Sequence, residues 1–224
     1  MFSQRAYFES LKASNPGRLV APSYLRLERT VNGTFNSVNF YTLGNENSPL
    51  ATEKRLEISD AFAVTKIGLF ISKVGSDTTP TDAELSGAIL RTYPNASVFS
   101  GSGEATNLMS IYNGYLSLTV DQKVVVDSLP TNQFYQVPQT IQGVTTTAYV
   151  DAGSGDATTT VPRDQTVFNR GMFNSPVEIT LRGQNKINWQ LNLPNSTNLT
   201  GTSSSNQIHL VLGGFLITGG GVKG

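Results

Sequence analysis

The C-terminal part of the chain contains three segments with a period of two in their apolar side chains, of which the first two alternate strictly between apolar and polar residues. They are residues 177–182, 187–193 and 208–212, the last continuing through Gly213-Gly214 to Ile217. Successive side chains of a β-strand point to opposite faces of a sheet. A period of two therefore places one face in a core and turns the other to water or a partner. The pattern predicts an antiparallel β-sandwich or barrel with Trp189 in its core.

Weaker alternation covers much of the remaining chain and predicts further strands. Asn32-Gly33 predicts a type I′ hairpin turn between a strand starting at Leu25 and a return strand over 34–43, because both residues accept a positive φ. The apolar positions of 62–74 change phase near Lys66, which predicts a β-bulge or bend. A second bulge is expected at Gly213-Gly214.

Three segments have helical rather than strand-like spacing. Residues 3–13 place their apolar side chains near one face, and Asn15-Pro16-Gly17 ends the pattern. Thr81 and Glu84 have the spacing of a capping box, and residues 104–113 repeat the helical period. The N-terminal helix either packs on its own sheet or lies on a neighbouring subunit or a membrane surface.

The predicted fold is all-β with a few short helices, built from jelly-roll barrels or sandwiches. The number of predicted strands exceeds the eight or so of one jelly roll. We therefore predict two minimal jelly rolls in tandem, with an N-terminal helix or arm at 1–17, a first roll with helical insertions at 18–113 and a second at 114–224. The alternative is one elaborated jelly roll.

Composition excludes several classes of function. Only 14% of the 224 residues are charged and the formal net charge is zero, which argues against naked nucleic acid or an anionic membrane surface as a partner. The chain has no cysteine, so disulfides, thiol catalysis and thiolate metal sites are excluded. Surfaces rich in Ser, Thr, Asn and Gly are typical of covered subunits and, equally, of adhesins and carbohydrate-binding modules.

No catalytic, cofactor or metal site is predicted. His209 is the single histidine, and on an alternating strand it is expected to be a surface or interface residue rather than a catalytic base. Residues 101–106 resemble a phosphate-binding loop only faintly, because the third glycine is missing. Residues 151–156 carry two aspartates, and whether calcium binds there stays open.

Four carboxylates are candidates for a glycoside-hydrolase pair, but no spacing places any two across a cleft. They are Glu53, Glu57, Asp60 and Glu178. Solvated strand faces are the expected role of these side chains.

The order of several strand-like and proline-ended segments resembles a known family. Residues 114–120, 127–138, 173–179, 189–194 and 208–219 follow one another as in the double jelly-roll major capsid proteins of tailless icosahedral bacteriophages with an internal membrane, the Flavobacterium-type phages. The resemblance covers about half of the chain.

The resemblance implies a structural virion protein without catalysis or cofactors, assembled in the host cytoplasm. Its expected partners are copies of itself, as a homotrimer of six barrels in a capsid lattice, and neighbouring capsid proteins such as a penton protein. The N-terminal helix would contact the internal membrane or a neighbouring tile. The lack of a long apolar run near the N-terminus agrees with such a protein. The alternative is an extracellular or phage-tail β-sandwich that binds glycans.

Overall fold

The computed structural model describes residues 4–75, 80–137, 171–199 and 205–219, which are mostly β-strand with a few short helices. The described strands are β1 (Val20–Val31), β2 (Thr34–Tyr41), β3 (Ala61–Val74), β4 (Tyr115–Val120), β5 (Lys123–Pro130), β6 (Met172–Arg182), β7 (Ile187–Asn198) and β8 (Ser205–Ile217). The described helices are α1 (Gln4–Ser14), α2 (Asp82–Gly87) and α3 (Glu104–Leu108), with 3-10 turns at Met109–Asn113 and Thr131–Phe134. The predicted fold class is thus confirmed at the level of a β-rich protein.

The strands form two four-stranded antiparallel sheets. The first sheet has the order β1-β8-β3-β6 and the second the order β2-β7-β4-β5. The antiparallel pairs β1–β8, β2–β7, β3–β6 and β4–β5 are nested along the chain, each inside the previous one. Most connections therefore cross from one sheet to the other, and the two sheets enclose one apolar core.

The predicted division at Gly114 does not hold for the described strands. Both sheets combine strands from 18–113 with strands from 114–224, since β8 lies between β1 and β3. One cluster of buried side chains draws on both ranges and includes Leu69, Trp189 and Leu210. The alternative of one unit fits this pairing. The prediction of two units expected more strands than the eight that the described residues form, and it assigned the strands partners close in sequence.

The predicted hairpin at Asn32-Gly33 is wrong, because β1 and β2 lie in different sheets. The Asn32 side chain instead links to β8: its Nδ2 donates to Ser205 Oγ at 3.0 Å and its Oδ1 accepts from Asn206 N at 3.3 Å. A hairpin turn with two positive φ values joins β4 to β5 at Asp121 and Gln122, at 47° and 66°. That is the backbone of a type I′ turn, formed without glycine.

The predicted irregularity near Lys66 is confirmed, whereas the one predicted in β8 is not. The pairing of β3 with β8 shifts between Val64 and Lys66, which is the signature of a bulge in β3. The pairing of β1 with β8 runs without a shift past Gly213 and Gly214. The glycines have another role: a Cβ on Gly214 would lie 1.9 Å from the Ala63 carbonyl oxygen.

The predicted N-terminal helix is present as α1 and packs on the chain's own sheet. Tyr7, Phe8 and Leu11 are half-buried against a small apolar cluster on the outer face of the first sheet. The Phe8 and Phe215 rings are 5.3 Å apart between centroids, a normal distance for a favourable aromatic pair. The remaining cluster residues are Val20, Ala61, Ala63 and Ile217. Contact of α1 with an internal membrane or a neighbouring tile stays a prediction.

Both predicted internal helical segments are confirmed. Thr81 caps α2 through a capping box with Glu84, as the spacing predicts: the Thr81 hydroxyl accepts from Glu84 N, and the Glu84 carboxylate accepts from Thr81 N at 2.8 Å. Leu85 and Leu108 anchor α2 and α3 because both side chains are buried.

We predict that Gly214→Ala destabilises the protein by about 1–3 kcal/mol, because β3 must move to admit the new methyl group. Gly33→Ala is the matched control, since a Cβ there meets no atom within 4 Å, and it should change the free energy of unfolding by less than about 1 kcal/mol. Chemical denaturation of both variants measures the difference. Equal stabilities would show that the close approach of β3 and β8 does not constrain the fold.

Candidate functional site

The outer face of the second sheet carries an uncharged polar surface, which we call the open face. Strand pairing places Gln190 between Asn39 and Ser117, and the flanking rows repeat the arrangement. The open face is formed by three of the four strands of this sheet, β2, β7 and β4, and consists of Ser37, Asn39, Tyr41, Tyr115, Ser117, Thr119, Asn188, Gln190 and Asn192. The fourth strand, β5, is not part of it and exposes Lys123 and Asp127. The predicted outward position of the three β7 amide residues is confirmed, and Trp189 on the opposite face is fully buried, also as predicted.

None of the open-face residues is buried within the protomer. Tyr115 has 41% of its surface exposed. The outer face of the first sheet is different, since Ser72, Gln207 and His209 there expose at most 1%. Within the described residues, one broad side of the sandwich is thus covered, and the other has no buried residue among the nine of the open face.

The open face leaves much of its hydrogen-bonding capacity unused. Asn192 Nδ2 donates to Ser117 Oγ at 3.3 Å, and Ser117 Oγ donates to the Gln190 carbonyl oxygen at 3.5 Å. Within the described ranges, the side-chain amides of Asn39, Asn188 and Gln190 make no hydrogen bond. Such groups can pair with a second surface without losing internal bonds.

The single histidine lies in a buried polar network on the covered side, not at the surface where it was predicted. Ser72 Oγ is 2.7 Å from His209 Nε2, and Glu28 Oε1 is 3.3 Å from His209 Nδ1. Strand pairing brings the three together, because Glu28 is directly opposite His209 on β1 and Ser72 lies on β3 across the other edge of β8. The alternation placed His209 on the polar side of its strand, and nothing in the sequence indicated that another segment of the chain covers that side.

The Glu28 carboxylate is the charged centre of this network. It accepts from Thr52 Oγ1 at 2.8 Å and forms an ion pair with Arg26. Burial by itself raises the pKa of Glu28, but its hydrogen bonds and the neighbouring charges outweigh this and lower it. Burial lowers the pKa of His209, and this effect exceeds the opposing attraction of Glu28. A neutral ring with its proton on Nδ1, facing Glu28, then leaves Nε2 to accept from the Ser72 hydroxyl.

The order serine, histidine, carboxylate is that of a hydrolytic triad, yet its surroundings favour a structural role. Ser72 and His209 have no exposed surface and Glu28 has 1%, so a substrate cannot reach the Ser72 hydroxyl in this conformation. A nucleophile must lie next to a space that admits the reacting carbonyl and its oxyanion donors. The network instead provides hydrogen-bond partners for the buried Glu28 carboxylate and the buried Ser72 hydroxyl.

The candidate carboxylates of the sequence do not form a pair across a cleft. Glu53 Oε2 is 2.6 Å from Arg55 Nη2, and the same carboxylate accepts from the backbone N–H of Glu28 at 2.8 Å. Asp60 Oδ1 accepts from Gly219 N at 3.0 Å. Glu178 is exposed on β6, as expected of a solvated strand face, and Glu57 is exposed outside the strands. The same expectation is wrong for Glu53, whose side chain exposes only 1%.

A backbone donor of the glycine loop at 101–106 is already bonded to a carboxylate of the same loop. Gly101 N donates to the carboxylate of Glu104 at 2.9 Å, and the same carboxylate forms an ion pair with Lys73 at 2.7 Å. Burial raises the pKa of Glu104, but its hydrogen bonds to Lys73, Gly101 and Asn206 lower it overall. The loop therefore serves Glu104 rather than a phosphate.

Residues 151–156, the possible calcium loop, lie outside the described residues. Within the part of the chain that is described, no group of three or more His, Asp or Glu side chains is arranged to hold a metal ion. The same part contains no helix that is both long and apolar enough to cross a membrane.

Comparison with known proteins gives no relative: no protein-family model, curated protein or solved structure matches this chain.

We predict that the free energy of unfolding falls as the pH drops below about 6.5. The unfolded chain takes up a proton on His209 from that pH downward, whereas the native ring, with its lowered pKa, resists it. The contribution of His209 to the free energy of unfolding is therefore full above the pKa that the ring has in the unfolded chain. It declines as the pH falls from that value toward the pKa of the native ring. Denaturation between pH 8 and pH 5 measures the effect, and His209 is the single histidine that can produce it.

His209→Gln is the test variant. It should lose about 1–3 kcal/mol at pH 8, because buried partners lose their hydrogen bonds, and its stability should depend less on pH between 6.5 and 5. A wild-type stability that stays constant or increases as the pH falls through this window would contradict the assignment of a buried neutral ring.

Proposed function

We propose that this protein is a structural subunit of a virion shell, a capsid protein that self-associates through the open face. The observation that carries the proposal is the contrast between the two broad sides of the sandwich. Among the described residues, α1 and loops of the chain cover one side, and the other side presents an array of amides, hydroxyls and tyrosines without charged side chains of its own.

The strand order supports a single jelly roll as the building block. The proposal is supported by the eight described strands, which form two antiparallel sheets with the nested pairs β1–β8, β2–β7, β3–β6 and β4–β5, because a jelly roll also has eight strands in two sheets. Viral capsid domains and lectin domains both use it, so the fold alone does not choose between them. The choice between a capsid role and a glycan-binding role therefore depends on the chemistry of the exposed surface.

One jelly roll per chain changes the expected assembly. The family that the sequence resembles forms a pseudo-hexagonal tile from six barrels, two in each of three chains. A chain with one sandwich needs six copies for an equivalent tile. We accordingly propose self-association into an icosahedral shell and do not retain the trimer as its building unit.

The chemistry of the open face favours a protein partner. Interface centres are depleted in charged residues and enriched in tyrosine relative to other surface. The nine residues of the open face include no charged residue, and Tyr41 and Tyr115 lie on its two outer strands, β2 and β4. A charge lies at one margin, where the Arg29 guanidinium is 3.6 Å from the centre of the Tyr41 ring. Amides that are unpaired in the protomer can bond across a subunit contact, where each pair is worth about 0.5–1.5 kcal/mol.

A glycan is the second candidate for the open face. Tyr115 is exposed beside Asn192, and an aromatic ring next to amides can contact both the apolar face and the hydroxyls of a sugar. The two candidates differ in oligomeric state. A shell subunit associates with itself, whereas a glycan-binding module binds sugar as a monomer.

We predict that the wild-type protein forms concentration-dependent oligomers and that Gln190→Arg weakens them at least about tenfold. An arginine at the centre of the open face would have to be buried without a partner charge, and a tenfold change corresponds to about 1.4 kcal/mol. Sedimentation velocity over a range of concentrations and electron microscopy of the products measure the effect.

Gln184→Arg is the matched control, because it makes the same change at an exposed residue in the turn between β6 and β7. It should associate like the wild type. A wild-type protein that stays monomeric at high concentration would contradict the shell role. Binding of neutral glycans by that monomer, lost in Gln190→Arg, would favour the second candidate instead.

A further inference from the structure

We propose that the groove between β1 and β2 binds an acidic sugar, with Arg29 holding the carboxylate. The proposal concerns a ligand site at the edge of the sandwich. The groove shares Ser37, Asn39 and Tyr41 with the open face, so the proposal applies to the unassembled protein, and its test does not require assembly.

The groove results from the nested strand order. β1 and β2 are consecutive, but each is an edge strand of a different sheet, so their facing edges are separated instead of paired. The space between them is about 370 Å³, within the range of small-molecule sites. Its lining includes Arg29, Thr30, Phe35, Ser37, Asn39 and Tyr41.

Arg29 is held rigidly in this groove without a carboxylate partner. Its Nε donates to the Asn39 carbonyl oxygen at 2.6 Å, and its guanidinium carbon lies 3.6 Å from the centre of the Tyr41 ring. Among the described residues, no acidic side chain forms an ion pair with Arg29, and its two terminal nitrogens have no acceptor. A planar guanidinium fixed in this way can bind a carboxylate through two parallel hydrogen bonds.

The acidic residues nearest to Arg29 are engaged elsewhere. The Glu53 carboxylate pairs with Arg55 and accepts from the backbone N–H of Leu50 at 2.8 Å. The Glu46 carboxylate accepts from Leu43 N at 3.2 Å. Both act on Arg29 only as nearby charges, which raise its pKa slightly against the larger lowering by burial. A half-buried cation with unused donors is thereby left facing the groove.

The rest of the lining favours a sugar over an acidic peptide. Thr30, Ser37 and Asn39 provide hydroxyl and amide groups for sugar hydroxyls, and the half-buried Phe35 provides an apolar contact. A peptide would add as a strand along β2 and needs a regular row of backbone groups. The pairing of β2 shifts between Phe35 and Ser37, so that row is interrupted within the groove.

Titration of the full-length protein with single compounds tests the proposal, using ¹⁵N-resolved chemical shifts. The probes are glucuronate and N-acetylneuraminate, their neutral counterparts glucose and N-acetylglucosamine, and a Glu-Ser-Glu tripeptide. We expect shifts at the β1 and β2 groove residues with both acidic sugars, and at least about tenfold weaker binding of the neutral sugars and the tripeptide.

Arg29→Gln should remove the preference for acidic sugars, and Arg29→Lys should restore part of it because the charge returns without the planar fork. Arg5→Gln, the same change at an exposed residue of α1, should bind like the wild type. Mapping on the wild type decides the question even if an Arg29 variant does not fold. No binding at millimolar concentration, shifts outside the groove, equal affinity for neutral sugars or equal affinity for the tripeptide would each overturn the proposal.

Discussion

The central constraint of this structure is the position of β8 between β1 and β3. The last described strand pairs with the first along its whole length, from Val20 opposite Ile217 to Val31 opposite Asn206. Its other edge pairs with β3, where Gly214 allows the Ala63 carbonyl to approach. These long-range pairs close the sandwich, so the fold cannot form from the N-terminal or the C-terminal half alone. The burial of His209, the separation of β1 from β2 and the single core all follow from this arrangement.

The two outer faces of the sandwich have opposite roles. On the first sheet, α1 contributes the apolar contacts of Phe8 and Phe215, and the loop that carries Thr52 and Glu53 covers the polar row of Glu28 and His209. Buried charge of this kind is tolerated because each carboxylate has several partners. No described segment covers the open face of the second sheet in this way, and its uncharged side chains are available for a partner.

Local sequence patterns predicted the positions of strands and helices well, but they predicted poorly which strands pair with each other. Alternation located β3, β7 and β8, and capping chemistry located α2, because both signals depend on neighbouring residues. The Asn32-Gly33 dipeptide wrongly predicted a hairpin, because turn propensity does not determine whether the flanking strands share a sheet. The type I′ backbone occurs instead at Asp121 and Gln122, which carry a weaker signal.

For the open face and the groove, likewise, the sequence predicted the orientation of single residues but not their neighbours in the fold. The outward phase of Asn188, Gln190 and Asn192 followed from alternation, and their lack of charge was visible in the sequence. Two features of the site depended on the fold. Asn39 and Ser117 lie beside the β7 amides in one surface, and no described acidic side chain pairs with Arg29. Both require residues far apart in sequence to be placed side by side.

Hydroxyl-radical footprinting of the assembled and dissociated protein tests self-association through the open face. Tyr115 on the open face and Tyr24 on the covered side have nearly equal exposure in the protomer, 41% and 43%. The account predicts that assembly strongly reduces the oxidation of Tyr115 and leaves that of Tyr24 unchanged. Protection of Tyr24 with continued oxidation of Tyr115 would contradict it.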